Sequence, residues 1–186
     1  MNAKHLITKD YESHIIFITG GTKSGKSELA EHFAKELKRL SYIALSENNI
    51  DDKEWQEKIK LHRKRRPNDW KLIETTDLLH TLKKEDGPLL IDSIGGFVME
   101  SIGKEHNEWS KKMHLLIGLL MKRKSITIIV GEQVGWSLVS EYKIGNTYIE
   151  RIGELQKKIT KISKDNWLAI NGRAIKIDEI SLEIPT

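Results

Sequence analysis

The chain has 186 residues, of which 31% are charged and 38% hydrophobic, with a formal net charge of +4 and no cysteine. This length suits one domain, read here as residues 1–186, with a sizeable core. The missing cysteines exclude disulfides, thiolate metal sites and cysteine nucleophiles, and the small positive charge fits anionic small molecules without requiring nucleic acid. The N-terminus, Met1 to Leu6, carries no long apolar segment, and the longest apolar stretch, Leu115 to Met121, falls far short of a membrane span. A cytoplasmic protein without a membrane span is therefore expected.

In chain order, residues 1–13 read as a polar tail, and Ile15–Thr19 as a buried strand. Gly20-Gly21-Thr22-Lys23-Ser24-Gly25-Lys26-Ser27 follows, matching the P-loop pattern G-x-x-x-x-G-K-[ST] in the strand–loop–helix setting that the pattern needs. Glycines let the backbone turn tightly so that successive N–H groups face a polyphosphate, and the following helix adds its positive end. Lys26 is expected to reach the outer phosphates and Ser27 to ligate Mg²⁺.

The helix is predicted over Gly25 to about Arg39, with Leu29, Phe33, Leu37 and Leu40 in phase. Tyr42–Leu45 reads as a short strand. Asp51 or Asp52 caps a predicted helix running to about Arg65, with Trp55, Ile59 and His62 on one face, and Pro67 stops it. Leu89–Asp92 reads as a buried strand with Asp92 at its C-terminal end, where ligands bind in open α/β sheets. Asp92 is thus the candidate second Mg²⁺ anchor. It also opens a D-x-x-G pattern, but no N-K-x-D guanine-reading motif follows, which argues against a switch GTPase.

Glu108–Arg123 is amphipathic, Ile126–Val130 is a β-branched strand and Gly145–Lys164 a long helix. Trp167–Ile170 and Ala174–Ile177 flank Asn171-Gly172-Arg173, a hairpin signal. Strand–helix alternation ending in a hairpin predicts a P-loop-type α/β fold: a mostly parallel sheet flanked by helices, with a C-terminal antiparallel hairpin.

The densest charge run, Lys60 to Arg66, has three readings: a solvated helix end, a nucleic-acid patch, or a phosphate clamp beside an active site. It lacks the interleaved aromatic platform of a single-strand binder. His62 within it is either a satisfied core residue or a nucleophile kept neutral by the surrounding cations. The other histidines lack metal-ligand spacing, and no structural metal site is expected.

Together, the P-loop, Tyr42-Ile43-Ala44, Lys58-Ile59-Lys60-Leu61-His62-Arg63, Arg66-Pro67 with Trp70 and Glu74, and Leu90-Ile91-Asp92 resemble one family. It is the bifunctional adenosylcobinamide kinase / adenosylcobinamide-phosphate guanylyltransferase family of cobalamin biosynthesis, and Val134-Gly135 and Gly153 also fall at related positions. The resemblance implies that a nucleoside triphosphate (ATP or GTP, with Mg²⁺) phosphorylates a corrinoid, and that GMP is then transferred from GTP through a guanylylated histidine. His62, Lys26 and Asp92 are the implied catalytic residues. Gly20 to Ser27, Arg63, Lys64, Arg65, Arg66 and Glu74 are the implied nucleotide-binding residues, with Ser27 and Asp92 on the metal. A homotrimer is also implied. The chain departs from the family pattern at Gly95 (usually Thr), Glu100 (Asn), Glu132 and Gln133 (Asn-Glu) and around Gln156-Lys157 (Asn-Gln). A non-catalytic or single-activity nucleotide-binding protein, or another small-molecule kinase on the same scaffold, is the alternative.

Overall fold

The computed structural model describes residues 14–45, 67, 69–136 and 140–185. Seven strands form one sheet: β1 (Ile15–Gly20), β2 (Ser41–Ala44), β3 (Lys71–Glu74), β4 (Leu89–Asp92), β5 (Thr127–Glu132), β6 (Asp165–Ile170) and β7 (Arg173–Lys176). Their spatial order is β3-β2-β4-β5-β1-β6-β7. Every pairing is parallel except β6–β7. The expected fold class is therefore the observed one. At the antiparallel end, Asn171 and Gly172 both take positive φ (50° and 72°), the backbone that a two-residue hairpin turn requires.

The period-2 alternation of side chains explains the layering. Ile15, Phe17, Ile91 and Ile129 point to one face, where α2 (Leu78–Lys84), α3 (Gly95–Glu100), α4 (His106–Lys122) and α5 (Lys143–Ile162) cover them. Ile16, Ile18, Leu90, Ile128 and Val130 point to the other and meet Ala30, Phe33 and Ala34 of α1 (Lys26–Ala34). Runs such as Ile15–Ile18 are apolar at every position because both faces of a central parallel strand are buried.

Trp109 is the largest fully buried side chain. It packs against Phe97 with ring centroids 5.9 Å apart, and its indole N–H donates to Glu154 Oε2 at 3.0 Å. The bond satisfies the one polar atom that its burial would otherwise strand. Among the described residues, no helix is long and apolar enough to cross a membrane.

Several expected boundaries shift. The first helix stops at Ala34 rather than Arg39, because the chain must double back into β2. Leu37 N–H bonds the Ala34 carbonyl at 2.9 Å, and Arg39 adopts φ 55°, while Leu40 still reaches the core. The strand expected to end at Val130 runs on to Glu132.

Among the described residues, β3, α2, α3 and a short 3-10 helix (Ile177–Glu179) have no counterpart in the sequence reading. β3 is half-exposed and carries only two apolar residues. α2 and α3 have seven and six residues, too few to show a helical period. The helix expected between Asp51 and Arg65, with Trp55, Ile59 and His62 on its inner face, lies outside the described residues, as does the tail 1–13.

Candidate functional site

The loop between β1 and α1 shows why its glycines stand where they do. Gly25 has φ 96°, a left-handed conformation that L side chains rarely adopt. At Gly20 no side chain fits, since a Cβ would lie 2.4 Å from the Ala169 carbonyl oxygen and 2.6 Å from Ser24 Oγ. The neighbouring strand and the loop itself therefore fix the first and last glycines. Lys23 also takes positive φ (56°), and the loop is tied to the hairpin by Gly172 N–H donating to the Ser24 carbonyl at 3.0 Å. Lys26 Nζ rests on the Gly21 carbonyl at 3.1 Å, and Ser24 Oγ is buried without a hydrogen-bond partner among the described residues. The loop thus carries a cation folded over its rim and a buried hydroxyl with unused bonding capacity.

β4 delivers Asp92 to the same edge. Ser27 Oγ donates to Asp92 Oδ1 at 3.3 Å, and Tyr42 Oη donates to Asp92 Oδ2 at 2.7 Å. Tyr42 is backed by Trp70, with near-parallel rings 6.3 Å apart. A hydroxyl and a carboxylate, both hard oxygen donors, suit Mg²⁺, which takes few protein ligands and fills its octahedron with phosphate and water oxygens. Ser27 and Asp92 could hold that ion.

β5 lies between β4 and β1 in the sheet, so its last residue, Glu132, stands between Asp92 and the loop. Glu132 pairs in register with Gly20. Ser93 Oγ donates to Glu132 Oε1, while Oε2 has no hydrogen-bond partner among the described residues. Burial pushes the Glu132 carboxyl up to about 7. Its own amide, the Lys26 ammonium and the Gly95 amide pull the other way, and the Asp92 charge adds to the rise. Tyr148, on α5, is pushed above its usual range by burial and by the Glu132 charge.

Gly95 is the residue that makes room for this corner. A Cβ there would lie 2.3 Å from Tyr148 Oη and 2.7 and 2.8 Å from the two Glu132 oxygens. The space left by the missing side chain at Gly95 is thus taken up by the Glu132 carboxylate and the Tyr148 hydroxyl.

Gln133 and Gln156 are likewise built in. Gln133 N–H donates to the Gly20 carbonyl at 3.0 Å, and its side-chain amide donates to Thr19 Oγ1 at 2.9 Å. Thr19 Oγ1 donates to Gln156 Oε1 at 2.9 Å, and Gln156 Nε2 donates to the Glu132 carbonyl at 2.7 Å. This network locks α5 and the end of β5 onto the strand that carries the loop. Glu100 is ion-paired with Lys112 on α4.

The structure thus brings Gly20 to Ser27, including Lys26, together with Asp92. Glu74 sits exposed at the end of β3, at the same sheet edge but with β2 between it and β4. His62, Arg63, Lys64, Arg65 and Arg66 lie outside the described residues. As site residues, sequence reasoning missed Tyr42, Ser93, Tyr148 and Glu132. The signal for Glu132 was the one used for Asp92, an acid closing a β-branched strand, obscured because the strand was ended two residues early.

The chain is similar to known proteins over most of its length. The bifunctional adenosylcobalamin biosynthesis protein CobU of Escherichia coli (strain K12) is 24% identical over 181 residues, which is 88% of this chain and 99% of that protein. The bifunctional adenosylcobalamin biosynthesis protein CobP of Pseudomonas aeruginosa is 29% identical over 150 residues, covering 77% of this chain and 86% of the other. Among solved structures, an ATPase from the type III secretion system of pathogenic bacteria superimposes with a TM-score of 0.55 at 13% identity, over 89% of this chain and 58% of that one, a likeness of fold alone. Residues 16–177 match the family described as cobinamide kinase / cobinamide phosphate guanyltransferase, and the chain belongs to that family.

Proposed function

We propose that this protein phosphorylates the aminopropanol hydroxyl of adenosylcobinamide from a nucleoside triphosphate, then transfers GMP from GTP to the new phosphate through a guanylyl group carried on His62. The observation that carries the reading is the apposition of Ser27 and Asp92 at 3.3 Å beside the Gly20–Ser27 loop, in a chain that matches the family over residues 16–177.

In the first reaction the loop amides and Lys26 hold the outer phosphates, and Glu74 contributes to nucleotide binding. Ser27 and Asp92 would hold Mg²⁺, which would supply charge neutralisation for the phosphates. In the second, the neutral His62 imidazole forms a bond to the α-phosphorus as the bond to the β-phosphate oxygen breaks, and pyrophosphate leaves. A phosphate oxygen of adenosylcobinamide phosphate then takes the GMP, breaking the N–P bond and freeing the imidazole. Splitting the transfer in this way replaces one hard step with two easier ones. Arg63, Lys64, Arg65 and Arg66 hold the triphosphate and stabilise its spreading charge. A homotrimer in the cytoplasm, built from one domain per chain and binding no nucleic acid, completes the reading.

A second reading, in which one of the two activities is lost, is favoured by the replacement of the family's Thr and Asn by Gly95 and Glu132 beside the loop. Incubation with GTP labelled at the α-phosphate, followed by denaturation, separates the two. Acid-labile label on the wild-type protein, absent from His62→Ala, is the expected result. No label on a wild-type protein that binds Mg·GTP would remove the guanylyl step and leave the kinase alone.

A further inference from the structure

Glu132 is an acid beside the loop where the resembled family carries Asn, and its surroundings specify a job. It closes β5, with Gly20 of the loop paired beside it on β1 and Asp92 at the end of the other neighbouring strand, β4. One of its oxygens is committed: Oε1 accepts from Ser93 Oγ. The other, Oε2, is buried and has no hydrogen-bond partner among the described residues. The backbone that carries the side chain cannot drift, because Gln156 Nε2 grips the Glu132 carbonyl at 2.7 Å and Gln133 N–H grips Gly20 at 3.0 Å. The fold also gives up a side chain at 95 to accommodate this acid, since a Cβ there would crowd both carboxylate oxygens to within 2.8 Å.

An acid kept in a tight polar cradle with one unused lone-pair face, at the strand end between a phosphate loop and a Mg²⁺ carboxylate, is placed to meet a donor that arrives with the substrate. A buried carboxylate left without its second partner is costly, so a structure that holds one has a use for it. We propose that Glu132 is the general base of the kinase half-reaction: its Oε2 accepts the proton of the acceptor hydroxyl as that oxygen attacks the γ-phosphorus.

The step balances as follows. The acceptor O–H bond breaks and the proton goes to Oε2, while the acceptor oxygen forms its bond to the γ-phosphorus. The bond from the γ-phosphorus to the bridging oxygen breaks, and its electron pair leaves with the nucleoside diphosphate. The protonated Glu132 then returns its proton to water. The groups facing this carboxyl are Lys26 from α1, Asp92 from β4, Ser93 and Gly95 at the start of α3, and Tyr148 from α5. Burial outweighs the pull of Lys26 and raises the carboxyl above its usual range, the direction a base requires.

The inference rests on the kinase reading but tests separately from it. The full-length protein is assayed for transfer of the γ-phosphate to adenosylcobinamide and for release of γ-phosphate to water, with Mg·GTP affinity followed by calorimetry. Glu132→Gln keeps the shape of the side chain and removes the base. The expected result is a fall in kcat of about 100-fold or more for both acceptors, nucleotide affinity within about threefold of wild type, and loss of the pH-dependent rise in kcat through the neutral range. Glu132→Asp should recover part of the rate together with the pH dependence. Glu132→Gln that retains kcat within a few-fold, with an unchanged pH profile, would overturn the proposal and leave Glu132 a structural prop. If the wild type transfers nothing to adenosylcobinamide yet hydrolyses nucleotide, the substrate reading fails, and the water reaction alone decides the role of Glu132.

Discussion

Two acidic residues end neighbouring strands at the same sheet edge, and the chain treats them in opposite ways. Asp92 has a hydroxyl on each oxygen, Ser27 at 3.3 Å and Tyr42 at 2.7 Å. Glu132 has a hydroxyl on one oxygen, nothing on the other among the described residues, and a carboxyl pushed up to about 7 chiefly by burial. The first arrangement fixes both oxygens of a carboxylate where they could face a cation. The second keeps a carboxyl close to its protonation boundary. Position in the sheet is therefore only half of a site. What the adjacent turns donate decides which chemistry the acid can perform.

The contrast can be broken from either side. The largest effect is expected at Asp92: Asp92→Asn removes the charge proposed to face Mg²⁺ and should lower Mg²⁺-dependent turnover by at least about 100-fold, with the circular dichroism spectrum unchanged. Retained turnover would show that Asp92 is not the metal anchor. Lys26→Ala should weaken Mg·GTP binding by about 10- to 100-fold, the cost of charge-assisted hydrogen bonds to phosphate, measured by calorimetry.

Glu132 should reveal itself in the stability of the nucleotide-free protein. Its folded-state pKa of about 7 lies above the usual 4.5, so the native state binds more protons than the unfolded state between those values. Stability is then greatest below about pH 4.5 as far as this group is concerned, and falls as pH rises through 7, by up to about 3 kcal/mol. Urea unfolding of wild type and Glu132→Gln across pH 5–8 checks this, with the difference between the two growing toward high pH. A difference that does not change with pH would mean that Glu132 titrates normally. The smallest effect is expected at Tyr42. Tyr42→Phe removes one bond of about 1 kcal/mol from Asp92 and should raise the Mg²⁺ concentration needed for half-maximal turnover roughly fivefold, at little change in saturated kcat.

The parts of the molecule that sequence made legible are those with long periods or fixed spacings. The apolar runs at Ile15 and Leu89 and the phased helices at Glu108 and Gly145 predicted the parallel sheet and its cover, because full burial leaves a continuous hydrophobic signal. Asn171-Gly172 predicted the hairpin because few residue pairs accept that backbone. The P-loop was readable for the same reason: Gly25 and Gly20 are demanded by backbone angle and by crowding.

The Glu132 corner was not readable, since it brings together residues far apart in the chain: Ser93 and Gly95 precede Glu132 by 39 and 37 positions and Tyr148 follows it by 16. Neither Gly95 nor Tyr148 carries a local sign that it touches Glu132, and the complementarity of small residue and large acid emerges only once α3 and α5 are packed on β5. Short α3 gave no period to reveal its place. Glu74, implied by the family resemblance, sits exposed at the end of β3.

The central claim is that this sheet edge moves a γ-phosphate onto a corrinoid hydroxyl. The most direct test is a single-turnover incubation of the wild-type protein with γ-labelled nucleoside triphosphate, Mg²⁺ and adenosylcobinamide, followed by separation of the corrinoid. The account predicts label on the corrinoid, lost in Asp92→Asn. An unlabelled corrinoid, from a protein shown in the same buffer to bind the nucleotide tightly, would contradict it.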